Sequence, residues 1–210
     1  MKKNYVSLLL SLLVAGIIWF IFYRMMPSDY SKGNVPLSEF STERALKHVK
    51  EISKEPHYVG SPYHQNVINY LESELKKLGL APQIQKNTIL SKWNNLVETQ
   101  NIVAKIKGFD SSKSLLLLTH FDSAPHTKSY GASDDANGLG VILEGIKTFL
   151  HTNKTPKNDI IIVFSDAEEL GLNGAYAFAS EHPWAKEVGL VINFEARGTA
   201  GPSMMLAETN

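Results

Sequence analysis

The 210-residue sequence contains no cysteine. That removes disulfide scaffolds, thiolate nucleophiles, CxxC redox chemistry and thiolate-bound zinc, so any metal must be held by histidine and carboxylate. A surplus of either charge is missing too, since 21 Lys+Arg balance 21 Asp+Glu. The balance is uneven along the chain. Residues 1–27 contain Lys2, Lys3 and Arg24 but no acid, which leaves the remainder with three more acidic groups than basic ones. A mildly acidic body without a basic cluster argues against nucleic acid as a partner. Internal repeats and low-complexity tracts are also lacking. The hydrophobic content of 43% is that of a chain with a packed core rather than a disordered one.

What is present begins with a long apolar run. Positions 6–23 read VSLLLSLLVAGIIWFIFY without a charge. At the rise of an α-helix this spans roughly 27 Å, close to the hydrocarbon thickness of a bilayer. Trp19 and Tyr23 fall near its far end, where aromatic side chains meet the membrane interface. The run is longer than the apolar core of a cleaved signal peptide and is followed by Arg24-Met25-Met26-Pro27 rather than a small-residue cleavage site. It reads as a single-pass signal-anchor, occupying 1–27 with its flank. Lys2 and Lys3 favour a cytoplasmic amino terminus, which would put the body on the extracytoplasmic side.

Residues 28–39 read as a Ser-, Gly- and Pro-containing linker, and 40–210 as one domain. Ala45, Leu46, Val49 and Ile52 form one helical stripe. Val67, Ile68, Leu71, Leu75 and Leu78 form another, closed by Gly79. Strand-like runs follow at 83–90, 101–107 and 114–119, then a helix through Leu139–Leu150, a strand at 159–164, a short helix at 175–180 and a strand at 188–194. SLLLLT and DIIIVF are continuous apolar runs, as in strands buried on both faces. The alternation predicts an α/β domain with a mainly parallel central sheet flanked by helices.

In such a sheet, ligands bind beyond the carboxyl ends of the strands. The residues delivered there are His120-Phe121-Asp122, then Ser165-Asp166-Ala167-Glu168-Glu169, then Glu195. Gly131-Ala132-Ser133-Asp134-Asp135-Ala136-Asn137-Gly138 precedes the helix. Each has a plainer reading: His120 as a hydrogen-bonded strand end, Asp134 and Asp135 as helix caps, Glu168 and Glu169 as a solvated face. Together they bring one imidazole and several carboxylates to one sheet edge, with no Lys or Arg in these segments before Arg197. Unpaired carboxylates are costly to gather, and a divalent cation is the economical neutraliser. One histidine with carboxylates suits zinc, and a shared carboxylate could bridge two ions.

These segments, with Thr119-His120-Phe121-Asp122-Ser123, Asp166 to Gly174 and Ile192-Asn193-Phe194-Glu195-Ala196, resemble the M28 family of zinc peptidases. The resemblance covers roughly residues 40–205. The anchor and Asn-Phe-Glu-Ala-Arg-Gly are most similar to the membrane-bound branch, which includes vacuolar and endoplasmic-reticulum metallopeptidases. It implies a zinc-peptidase (phosphorylase/hydrolase-like) fold and a peptide substrate. His120 and Glu195 would bind the first zinc, Asp134 would bridge, and Glu169 would bind the second. Glu168 would be the general base toward the metal-bridging water. Asp122 would orient His120 from behind, and Asp135 would be structural.

The family's second zinc takes a further histidine after the Glu195 segment, and this sequence has none beyond His182. His126, His151 and His182 are weak stand-ins, because none lies at a predicted strand end facing the site. The expectation is therefore a truncated chain with two zinc ions in the complete domain and one in this chain. The leading reading is a membrane-anchored zinc exopeptidase, an aminopeptidase. Its alternatives are a single-zinc acyltransferase resembling glutaminyl cyclase, and an inactive ectodomain that keeps the fold.

Overall fold

The apolar runs become strands covered on both faces. The computed structural model describes residues 2–26, 30–31, 33–90, 94–110 and 112–196. Its elements run α1 (Lys2–Met25), α2 (Thr42–Ile52), α3 (His64–Lys77), β1 (Gln83–Leu90), β2 (Leu96–Ile106), β3 (Ser114–His120), α4 (Ala136–Leu150), β4 (Ile160–Ser165), α5 (Asn173–Glu181), a 3-10 turn (Pro183–Glu187) and β5 (Val188–Asn193). The sheet order is β1-β2-β4-β3-β5.

β3 is parallel to both β4 and β5, whereas β2 is antiparallel to β4 and to β1. The α/β class follows the sequence, but the sheet is mixed rather than mainly parallel. The cause is local. The short connection from Leu90 to Leu96 permits only a hairpin, because a parallel partner requires a crossover of a dozen or more residues. The strand–helix alternation that produces parallel pairing starts at β3.

Side chains on β4 divide with period two. Ile162 and Phe164 join Leu71 and Leu75 of α3 and Leu139 and Leu143 of α4 in one core. Ile161 and Val163 pack with Val103, Leu116 and Phe178 in a second. Helices α4 and α5 thus cover opposite faces, which is why β4 is apolar from Ile160 to Phe164. The crossover through α4 leads from β3 to β4, and the one through α5 returns past β3 to β5. A reversal of this kind opens a crevice at the strands' carboxyl ends.

Helix α1 is long and apolar enough to cross a membrane by length and composition, and Trp19 stacks on Tyr23 with ring centroids 5.5 Å apart. The body begins at Ser31. Part of the stretch read as linker is held against it. Arg44 on α2 donates to the carbonyls of Val35 (3.0 Å), Pro36 and Glu39, and its Nε donates to Glu144 Oε1 on α4 at 2.7 Å. Composition shows a Pro/Gly segment; it does not show its carbonyls bound by the guanidinium of the next helix.

Candidate metal centre

His120 is the last residue of β3 and stands in register with Ser165, the last of β4. Its ring is almost completely buried, and both nitrogens face acceptors. Nδ1 donates to the Asp122 carbonyl at 3.0 Å. Nε2 lies 3.0 Å from Asp134 Oδ1 and 3.9 Å from Glu195 Oε1. Donor atoms of His120, Asp134 and Glu195 all fall within 4.8 Å of one another, the spacing of groups that can share one cation. One imidazole nitrogen and two carboxylate oxygens form a donor set suited to zinc, with a coordination position left for water or substrate. Burial disfavours the imidazolium, yet the surrounding carboxylates of Asp122, Asp134 and Glu195 hold the ring well above its usual pKa. A positive charge belongs at this point, and a divalent ion meets the same demand.

Asp134 and Asp135 precede α4 and diverge. Asp134 faces the crevice with half its side chain exposed. Asp135 turns inward and caps α4, accepting from Gly138 N at 3.1 Å and from the Thr119 hydroxyl. Gly138 has no room for a β-carbon, which would meet the Asp135 carboxylate and Thr119 Oγ1. Burial pushes the Asp135 carboxyl up to about 7, against the pull of Thr119 and His120.

Asp122 acts mostly on the neighbouring segment. Its main-chain carbonyl orients His120, while its buried carboxylate accepts from Glu168 N (2.9 Å) and Glu169 N (3.2 Å). The loop leaving β4 is therefore fastened to the loop leaving β3. Burial, reinforced by Glu195, Asp122 and Glu169, lifts the Glu168 carboxyl to about 7, with His120 opposing. Glu169 is also raised, by burial first and then by the charge of Asp134.

The structure thus brings His120, Asp134 and Glu195 into one cluster. Glu168 and Glu169 lie in the same electrostatic field, and Asp122 and Asp135 brace the segments that carry them. Among the described residues the cluster contains no second histidine. His126 is in an exposed turn, and His151 ends α4 with Nδ1 on the Lys147 carbonyl. His182 stacks on Phe178 and meets Trp184 edge-on.

Two participants were not singled out by sequence. His57 donates its main-chain N–H to Ser123 Oγ at 3.0 Å, tying the 55–62 loop to the exit of β3. His64, at the start of α3, reaches the buried Asp166 with Nε2 at 2.8 Å from Oδ1. Asp166 opens the segment that runs to Gly174, but no pattern in the sequence joins it to a histidine 102 residues away.

The chain is similar to several known proteins. Residues 101–210 match the model of peptidase family M28. The chain is 33% identical over 178 residues to a vacuolar membrane protease of Candida dubliniensis, covering 77% of this chain and 18% of that protein. A vacuolar membrane protease of Candida tropicalis is 31% identical over 208 residues, covering 90% of this chain and 22% of that protein. The chain spans about a fifth of the length of these curated relatives. Among solved structures, a Porphyromonas gingivalis glutaminyl cyclase superposes with a TM-score of 0.66 at 26% identity, covering 77% of this chain and 60% of that one. A leucine aminopeptidase precursor from Bacteroides thetaiotaomicron shares the fold, with a TM-score of 0.64 at 24% identity over 78% of this chain and 64% of that one.

Proposed function

The chain belongs to peptidase family M28, and from that premise we propose that it carries the metal-binding and base-bearing part of a membrane-anchored zinc exopeptidase, an aminopeptidase. The observation that carries this reading is the convergence of His120, Asp134 and Glu195 donor atoms within 4.8 Å at the sheet edge, with Glu168 in their field. His120, Asp134 and Glu195 would hold one zinc, and Asp134 and Glu169 would supply ligands to a second. When bound, zinc polarises the scissile carbonyl and eases ionisation of the attacking water.

The chain's own residues perform the proton transfers. Glu168 takes a proton from water as its oxygen adds to the carbonyl carbon, and returns it to the departing amine as the C–N bond breaks. The burial that lifts Glu168 toward neutrality brings its basicity close to what both transfers require. The excess of carboxylate at the site favours a substrate with a free, positively charged amino terminus. The apolar α1 anchors the chain, with the basic flank cytoplasmic and the body extracytoplasmic; the names of the vacuolar membrane relatives support the membrane association.

The test is hydrolysis of short peptides by the detergent-solubilised protein with zinc. The expected result is stepwise release of amino-terminal residues, lowered by about 100- to 10,000-fold in Glu168→Gln, the range for loss of a general base. Unchanged hydrolysis in that variant would remove Glu168 from the mechanism. A single-zinc cyclase of amino-terminal glutamine is the second reading, favoured by the one three-residue cluster among the described residues and by the glutaminyl cyclase neighbour. Pyroglutamyl product without hydrolysis would select it.

A further inference from the structure

The segment bearing Glu168 and Glu169 leaves β4 through an uncommon backbone turn. Ala167 is fully buried and has φ 55°, a left-handed conformation for a residue with a β-carbon. Such a conformation persists only where its surroundings over-determine it. Here the direction in which Glu168 departs depends on it.

Asp166 supplies the constraint. Its Oδ1 accepts from Ala167 N at 2.9 Å and its Oδ2 from Gln100 N at 2.9 Å. Its own N–H donates to Asn101 Oδ1 at 3.0 Å, and its carbonyl accepts from Gly174 N at 2.8 Å. Gly174 has no space for a β-carbon, which would meet the Asp166 carbonyl. One contact to the carboxylate comes from outside this local mesh: His64 Nε2, donating to Oδ1 at 2.8 Å. The His64 ring also packs 5.3 Å from Phe121, the residue between His120 and Asp122. His64 therefore touches the segments leaving both β3 and β4, and it is not one of the clustered metal-binding groups.

We propose that His64 is a positioning residue, acting through Asp166 to hold the Ala167 turn and so the direction of Glu168 and Glu169. The inference rests on the roles given above to those glutamates and adds a residue to them. Without the imidazole, Oδ1 keeps only the N–H of the adjacent residue and Oδ2 that of Gln100, so the carboxylate loses one of its three partners and holds the turn less firmly.

Amide hydrogen exchange on the metal-free, detergent-solubilised protein tests this. Two polar variants separate reach from bulk: in His64→Gln an amide N–H extends close to the place of Nε2, while His64→Asn stops a bond short. In the wild type, Ala167, Glu168 and Glu169 amides are expected to exchange as slowly as those inside α4. His64→Asn should speed those three by about tenfold while α4 stays unchanged, and His64→Gln should remain within about threefold of wild type. With zinc, His64→Asn should lower kcat for peptides by about 10- to 100-fold at unchanged KM, with recovery in His64→Gln.

Fast exchange at 167–169 in the wild type would overturn the proposal, whether or not a variant folds. Equal protection in His64→Asn and wild type would do the same, as would an acceleration in α4 as large as that at 167–169. The predicted exchange pattern in a protein that hydrolyses no peptide would leave His64 in this role and refute the peptidase reading.

Discussion

At the scale of single residues, the site works by dividing neighbouring acids between exposure and burial. Asp134 faces the crevice while Asp135 turns inward beneath α4. Asp122 is the buried hub, with one carboxylate oxygen on the amide of Glu168 and the other on that of Glu169. In Asp122→Asn, one of these amides would face an N–H2 group in place of an acceptor, and a half-buried donor would lose its partner. The expected outcome is a fall in zinc affinity of about 10- to 100-fold, the usual effect of removing a group that orients metal ligands. Competition against a chelator measures it. Affinity equal to wild type would show that the loop keeps its place without this carboxylate.

Elements were legible where their burial leaves a period in the sequence. The stripes of α2, α3 and α4 and the unbroken apolar runs of β3 and β4 are direct consequences of which faces are covered. The ends of those strands were legible for the same reason, so His120, Glu168, Glu169 and Glu195 could be placed at one edge. The early part of β2 was not, because polarity does not follow burial there: the apolar Leu96 is exposed, the polar Thr99 is buried, and this stretch pairs only with β1. Contacts between distant polar groups leave no period at all. His64 with Asp166, and Arg44 with Glu144, are invisible until the chain is folded.

The second of these pairs carries a stability prediction. Glu144 is fully buried on α4, and Arg44 is its charged partner from α2. Arg44→Ala would leave the carboxylate uncompensated and free the carbonyls of Val35, Pro36 and Glu39. Removing one partner of a buried ion pair costs about 3–5 kcal/mol. Urea unfolding followed by far-ultraviolet circular dichroism should show a loss of that size. Replacing the pair together, as Arg44→Met with Glu144→Leu, should lose less. A loss under about 1 kcal/mol in Arg44→Ala would indicate an exposed pair instead.

For the whole molecule, the lack of cysteine acquires a definite meaning. Thiolate ligands were excluded at the outset, and the fold gathers the alternative donor set at the reversal point of a mixed sheet, beyond β3, β4 and β5. The helix α1 is a separate apolar unit with the length of a membrane span. Membership of family M28 and the vacuolar membrane relatives agree with both features. The central claim is that His120, Asp134 and Glu195 bind zinc together. It is tested most directly by anomalous X-ray scattering at the zinc edge from crystals of the metal-loaded protein. A peak within about 2.0–2.2 Å of His120 Nε2 and of oxygens from Asp134 and Glu195 is the predicted result. A crystal saturated with zinc that shows no peak among these three residues would contradict it.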